Sequence, residues 1–304
     1  MNFRARATSL KLRQNLYLYA MLLPVLAFYL IFKYLPMGGL VIAFKNYNFT
    51  DGILHSPWVG WKNFELLFTT SNTMQIIWNT FWLSFLNLAV GFPIPIVLAL
   101  MINEIQRSWF KKWIQTIVYL PHFFSWVIVS GIVLTLFATD SGSINKVLEL
   151  LSIEPKSFLY EAVSWTSIFV GSGVWKEMGF NTIIYLAALT MIDPSLYESS
   201  SIDGASKWRQ IWHITLPGIR PTIILLLILA MGRVMEVGFD QVYNLQNDAV
   251  SSVSEVISTY IYKMGLQSAQ FSVTTAMGLF ESVIAFVLVI TVNWIARKYD
   301  QGLF

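Results

Sequence analysis

Six apolar runs, at roughly 16–36, 75–102, 114–138, 162–190, 219–238 and 273–296, alternate along this chain with polar segments. About 20 predominantly apolar residues cross the hydrocarbon core of a bilayer as a helix, so each run predicts a transmembrane helix. Several carry proline (Pro24, Pro93, Pro95, Pro121), which membrane helices tolerate when neighbours re-satisfy the freed backbone groups. The first run is too long and too aromatic for a cleaved signal peptide, and no small-residue cleavage site follows it. The expected architecture is an all-α integral membrane protein. A short segment, 1–15, precedes one six-helix transmembrane domain over 16–304.

A polar island from Glu198 to Pro217 separates the fourth and fifth runs. Asp193 and Pro194 read as an N-cap followed by proline at the first helical position. Ser195 and Glu198 offer a capping box in an alternative register. A short helix to about residue 202 follows, then a turn at Asp203-Gly204 and a second short helix. Trp208, Ile211 and Trp212 fall on one face of that helix at i, i+3, i+4. Pro217 and Pro221 are expected to close the unit before the next span.

This island resembles the EAA loop of binding-protein-dependent ABC importer permeases. The family pattern is Glu-Ala-Ala, three residues, Gly, nine residues, Ile-x-Leu-Pro. Glu198, Gly204, Ile214, Leu216 and Pro217 match it at the family spacing, while Ser199 and Ser200 stand in place of the two alanines. Further resemblance lies in Phe32-Lys-Tyr-Leu-Pro-Met-Gly-Gly, the Ala-Phe-Lys-Asn-Tyr run and Trp58-Val-Gly-Trp-Lys-Asn-Phe. These are similar to sugar-importer permeases, in particular those serving complex saccharides such as alginate- or pectin-derived oligomers.

Composition and charge place the chain in its solvent. Hydrophobic residues make up 56% and charged ones 12%, against about 25% charged in soluble domains, and the mean hydropathy is +0.59. With the N-terminus inside and six alternating spans, the inner side carries Arg4, Arg6, Lys11, Arg13, Arg107, Lys111, Lys112, Lys207, Arg209, Arg220, Arg297 and Lys298. The outer side carries Lys45, Lys62, Lys146, Lys156 and Lys263. That excess favours both termini in the cytoplasm and puts the 191–220 loop there too. The net charge of +3 follows from topology and needs no nucleic-acid partner.

Several chemistries are excluded. Zero cysteines rule out disulfides and thiolate sites, and the three histidines, His55, His122 and His213, lack metal-ligand spacing. Gly204-Ala-Ser-Lys207 is too short for a phosphate loop, so this chain does not hydrolyse ATP alone. Asn48-Phe-Thr50 matches a glycosylation pattern that would be incidental in a bacterial importer. Trp58 and Trp61 on the outer loop 37–74 suit either the membrane interface or a partner surface. Outer segments 139–160 and 239–272 carry Asp140, Glu149, Glu154, Asp240, Asp248 and Glu255, either facing a solute-binding protein or simply solvated.

Charges within spans are expensive and therefore candidates for function. Span four carries Trp175, Lys176, Glu177 and Asn181; span five carries Arg233 and Glu236, with Asp240 just beyond; span six carries Glu281. Arg233, Glu236 and Asp240 repeat at i, i+3, i+7 and are expected to share one helical face. One reading is a translocation cavity in which these groups bond sugar hydroxyls while Trp175, Phe239 or Tyr243 stack on pyranose rings. The plainer one is an ion-pair set, Arg233 with Glu236 and Lys176 with Glu177 or Glu281, that holds the bundle together. Lys33 is expected to snorkel to the outer interface.

The resemblance implies a mechanism. Two permeases, different chains in that subgroup, enclose a pathway; a solute-binding protein delivers saccharide outside, and two ATPase subunits carrying ATP and Mg sit beneath. No cofactor is expected in this chain. Glu198 would anchor the ATPase joint and Gly204 would supply its turn. Ala205 and Asp203 flank that turn, and Trp208, Ile211 and Trp212 would fill apolar contacts. An ion-coupled secondary sugar transporter is the alternative; it would usually show paired repeats or broken helices in both halves and has no reason to carry the Glu198–Pro217 pattern. A membrane glycosyltransferase would need clustered carboxylates at a cleft, and the acids here are dispersed.

Overall fold

The computed structural model describes residues 15–298. The expected N-terminal segment, with Arg4, Arg6, Lys11 and Arg13, lies outside the described residues apart from Asn15. Helices dominate, and among the described residues the extended backbone pairs at one bridge, Lys45 with Trp58.

Helix α1 (Leu16–Phe44) loosens to a π-turn over Leu30–Tyr34 and tightens to a 3₁₀ stretch over Gly38–Phe44. No residue of its apolar window is buried. Only the 38–44 end packs on the rest of the chain, through Ala43. The next loop folds back on itself: Lys45 Nζ donates to the carbonyls of Ile53 (2.7 Å) and Leu54 (2.9 Å). Helix α2 (Lys62–Thr69) is pinned there by the buried Asn63 amide, which donates to the carbonyls of Ala43 (2.8 Å) and Lys45 (2.9 Å). Trp58 and Trp61 remain exposed beside Phe44.

The second run forms α3 (Ser71–Gly91) and α4 (Pro93–Asn103), with Pro93 at the first position of α4, where its missing N–H costs least. The third run departs from expectation. Helix α5 (Ser108–Tyr119) and its 3₁₀ extension to Phe123 meet α6 (Trp126–Phe137) at a bend of 103°. Pro121 sits in the last turn, and Ser125 is extended and caps the new helix with its hydroxyl accepting the Ile128 N–H (3.4 Å). A proline and a capping serine four residues apart end one helix and begin another, which apolar content alone does not reveal.

After α7 (Ser143–Leu150) comes the central helix, α8 (Ala162–Leu189), 28 residues long and thus about 42 Å. Then follow α9 (Pro194–Ile202) and α10 (Lys207–Met231). Here too the structure corrects the sequence reading. Pro217 and Pro221 do not close the preceding unit; both lie within α10, which runs through a π-turn at Ile211–Thr215 straight into the span. In that turn the Leu216 N–H bonds five residues back to the Ile211 carbonyl. The wider spacing accommodates Pro217, which has no N–H to give.

Span five ends at Met231, not near 238. Residues 232–238 form turns and irregular backbone before α11 (Phe239–Leu245), so Arg233, Glu236 and Asp240 do not share a helical face. Gly232 and Gly238 flank the break. Nor is 239–272 a solvated polar loop: Val242, Leu245, Val250, Val256 and Ile257 are buried, and α12 (Ile257–Tyr260) continues as a π-turn to Gln267. Its charges stay at the surface, with Asp240 and Asp248 exposed and Glu255 paired to Lys263 (3.0 Å). Helix α13 (Phe271–Arg297) completes the described chain.

Three apolar clusters hold the bundle. One joins α8 (Trp165, Phe169, Val170, Val174) to Leu83, Val133 and the 237–256 segment. A second ties Ala43, Leu67 and Ile76 to Met235, Ile257, Ala276 and Met277. The third packs Ala99 on Tyr185, Ala188, Leu189 and Ile219. Buried polar bonds fix the register between them. The Gln241 amide donates to the Phe169 carbonyl (2.6 Å), and Trp165 Nε1 donates to the Leu245 carbonyl (2.8 Å).

By length and hydropathy, α1, the α3–α4 unit, α10 and α13 can each cross a membrane, and the bent α5–α6 pair makes a fifth. Helix α8 is long enough but more polar, since Lys176, Glu177 and Asn181 interrupt it. Being surrounded by α4, α5 and α10, it needs less lipid-facing surface than they do. Its contact with α5 is close: a Cβ at Gly179 would overlap the Val118 carbonyl. Gly179→Ala is therefore expected to destabilise the fold by about 1–3 kcal/mol or more. The thermal midpoint of purified protein in detergent checks this, and an unchanged midpoint would show that the two helices can part freely.

Candidate functional site

The residues of the Glu198–Pro217 island form one connected unit. Asp193 caps α9, its carboxylate accepting the Ser195 N–H (2.9 Å); the Ser195–Glu198 box is not the register used. That backbone bond, with help from the Ser195 hydroxyl, holds the Asp193 carboxyl below the usual carboxylate range. A depressed value means the cap contributes fully above the ordinary carboxylate pKa and is lost as pH falls through the lowered one. At Gly204 φ is +76°, a conformation open to glycine and strained for other residues. Ser206 then caps α10, accepting the Arg209 N–H (3.4 Å).

Outward from this unit point Glu198, Asp203, Trp208 and Trp212, the two tryptophans 71% and 63% exposed. Ala205, Ile211, Ile214 and Leu216 are half-buried, and Pro217 is exposed. Three residues the pattern did not single out hold the unit together. Gln210 donates to the Ser200 and Ser201 hydroxyls, both at 3.0 Å, and Tyr197 shares a hydrogen bond with the Thr215 hydroxyl (3.0 Å). Gln210 lies between the apolar positions, where periodicity assigns it no partner. Behind them Gly218 lets α10 approach Ile192, whose Cδ1 would lie 2.8 Å from an added Cβ.

The intramembrane polar groups fall into separate clusters. Lys176, only 6% exposed, donates to Glu177 Oε1 (2.9 Å) and to the His122 carbonyl (2.9 Å), and its Nζ lies 5.4 Å from the Trp126 ring. Glu177 Oε2 lies 2.8 Å from His122 Nδ1, and the imidazole stacks on Phe180 (4.0 Å). This cluster therefore staples α8 to the α5–α6 bend, and of the two partners expected for Lys176 it selects Glu177 over Glu281. His122 had no signal in the sequence beyond its place beside Pro121.

Glu281 instead faces Glu236. The two line a cavity of about 430 Å³ between the broken end of span five and α13, together with Gly232, Met235, Ser282 and Phe286. Nearby in sequence, Phe239, Tyr243 and Tyr262 form a ring cluster with centroids 5.2–5.4 Å apart. Tyr262 joins it from a segment that reads as loop. No ion pair joins Arg233 to Glu236 among the described residues; Arg233 is exposed. Trp175 and Asn181 are exposed on α8 and join neither group. Among the described residues no three His, Asp or Glu are grouped to hold a metal ion.

A family model for the binding-protein-dependent transport system inner membrane component matches residues 91–304. The chain belongs to that family. It is thus a multi-pass inner-membrane permease, a translocation component without an ATPase site of its own. This permease is 45% identical to the polygalacturonan/rhamnogalacturonan transport system permease protein YteP of Bacillus subtilis (strain 168), over 97% of this chain and 92% of that protein. Among solved structures it is similar, at 43% identity and TM-score 0.89, to a chain of a bacterial ABC transporter involved in the import of the acidic polysaccharide alginate. That match covers 96% of this permease and 99% of the other chain. A second match, at 42% identity and TM-score 0.89 over 96% and 98% of the two chains, is to the bacterial alginate ABC transporter in complex with an alginate pentasaccharide-bound periplasmic protein.

In this permease the Lys176 staple is expected to matter for stability. Lys176→Met removes hydrogen bonds from a charged donor while keeping its length, and should cost about 1.5–3 kcal/mol. Thermal unfolding in detergent reads the loss; a variant as stable as the parent would show that Glu177 and His122 hold the bend without it.

Proposed function

We propose that this permease forms half of the translocation pathway of an ATP-driven importer for oligosaccharides or polysaccharide fragments. Six spans serve it, with the bent α5–α6 pair as the third and α8 as the fourth. Both termini and the 191–220 loop face the cytoplasm of a bacterium. The substrate class rests on the relatives, whose names specify galacturonan, rhamnogalacturonan and alginate. The partners are a second permease, a different chain, two ATPase subunits carrying ATP and Mg, and an extracytoplasmic solute-binding protein like that in the alginate complex. Lipid surrounds the assembly, and nucleic acid has no part in it.

The observation that carries the coupling role is the continuity of α10. The exposed Trp208 and Trp212 lie on the same helix that becomes span five, and Glu198 lies on α9, which Gln210 ties to that helix. An ATPase gripping Glu198, Trp208 and Trp212 would move span five directly. Its outer end delivers that motion to Gly232–Gly238, where Glu236 and Glu281 line the cavity. Carboxylates at that depth need water or protein against them rather than lipid, which supports a pathway surface. Glu236, Glu281, Asp240, Arg233, Glu177 and Asn181 would supply polar contacts to sugar hydroxyls along it, and Trp175, Phe239 and Tyr243 apolar ones to the pyranose faces.

A pull-down of tagged permease from detergent-solubilised membranes tests this. Recovery of an ATPase and a second multi-span protein is expected, with the ATPase depleted by Glu198→Arg. A chain that purifies alone, unaffected by the reversal, would favour ion-coupled transport instead.

A further inference from the structure

At Ser200 this permease departs from the alanine of its family pattern, and the structure gives that hydroxyl a partner. The Gln210 side-chain amide, 5% exposed, donates to Ser200 Oγ and Ser201 Oγ at 3.0 Å each, with the Tyr197 carbonyl at 3.5 Å. Both serine hydroxyls donate in turn to that same carbonyl, at 2.9 and 2.7 Å. Thr215 donates its hydroxyl proton to the Gln210 carbonyl (3.3 Å), which leaves the Tyr197 hydroxyl to donate to Thr215 Oγ1 (3.0 Å). Gln210, Ser200, Ser201, Tyr197 and Thr215 thus form a closed polar knot between α9 and α10.

The two helices it joins have different footing. Helix α10 is 25 residues long and anchored in the bundle. Helix α9 has nine residues, too few to hold a helix in place by itself, and none of them is buried. Its link to α10 is the turn at Asp203-Gly204, and glycine is the least restrictive residue for a pivot. The Ser200 carbonyl also accepts the Ala205 N–H (2.9 Å) and Ile192 packs on Gly218, but these ties lie at the ends of α9. The knot supplies the side-chain hydrogen bonds from α9 to α10, and without it the end contacts alone oppose rotation about Gly204. A force applied at Glu198 would then turn α9 without displacing α10.

We propose that Gln210 is a positioning residue for ATPase coupling: through Ser200 and Ser201 it welds the Glu198 helix to span five, so that displacement of one is displacement of the other. This rests on the reading of 194–216 as the ATPase joint. It assigns Gln210 no contact with the ATPase or the saccharide.

The test is transport stoichiometry. The full complex, with its second permease, ATPases and binding protein, is reconstituted into liposomes and supplied with oligogalacturonides and alginate oligomers. Saccharide taken up per ATP hydrolysed is compared for the parent, Gln210→Ala, the Ser200→Ala/Ser201→Ala pair, and all three changes together. With ATPase content unchanged, the ratio should fall by about fivefold or more in Gln210→Ala, the low end of ordinary coupling between linked sites. The serine pair should fall similarly, and the triple variant no further, because one set of bonds is broken only once. An unchanged ratio with full ATPase content overturns the proposal. Loss of the ATPase from Gln210→Ala also overturns it, since the residue would then support docking rather than transmission. Should Gln210→Ala fail to fold, the serine pair, one of which restores a family alanine, decides by the same readout. A parent complex lacking ATP-driven uptake would instead sink the importer reading itself, whatever the variants do.

Discussion

Hydrocarbon offers no hydrogen bonds, so every polar group that this chain takes into the membrane must find its partner within the protein or in a water-filled space. That constraint explains where the structure is regular and where it is not. The long apolar stretches of α1, α3–α4 and α13 close their backbone bonds internally, α1 through a π-turn at Leu30–Tyr34. Where the chain leaves the helix altogether, other elements pack on it: the α5–α6 bend lies against α8, and the 232–238 break lies against α13. The Lys176 ammonium closes the bend by donating to the His122 carbonyl, which the ended helix leaves without an intrahelical donor. A charge that would be costly in lipid becomes the fastener of a helix end.

Central helix α8 follows the same rule from the other side. It tolerates Lys176, Glu177 and a succession of serine, threonine and glycine because neighbours surround it. Trp165 and Phe169 lock its first third to the 237–256 segment, while Tyr185 and Leu189 lock its last third to α4 and α10. The proposed coupling and pathway surfaces thereby stand apart on one scaffold. The Glu198–Pro217 unit presents exposed aromatic rings and a carboxylate; at Glu236 and Glu281 the chain presents carboxylates beside a cavity; between them runs α10.

The sequence was legible wherever composition and local signals agree. Four of the six apolar runs lie in helices long and apolar enough to cross a membrane and a fifth forms a bent pair, the Asp193-Pro194 start and the Gly204 turn are where capping and turn chemistry put them, and the Glu198–Pro217 spacing led to the family. One failure comes from apolar content that persists where the helix does not. Val234, Met235 and Val237 prolong the fifth run past Gly232, yet they are side chains of a turn packed on neighbouring elements. Pro217 erred in the opposite direction, reading as a stop where a π-turn had already made room for it. Long-range bonds were invisible for another reason. Gln210 finds Ser200, and Gln241 finds Phe169, across distances in sequence that no periodicity spans.

The π-turn at Ile211–Thr215 has a geometric consequence of its own. One residue more than an α-turn is spent there, so the two parts of α10 are out of phase. Each residue of an α-helix advances about 100° around the axis, and removing one residue from the turn would swing Trp208 and Trp212 by that angle relative to Ile219 and the span. The direction in which the Trp208 and Trp212 rings point is therefore set by a single residue's worth of slack in the backbone rather than by the sequence of either half. Helical-wheel comparison of this permease with any relative has to be made in two pieces, one on each side of that turn.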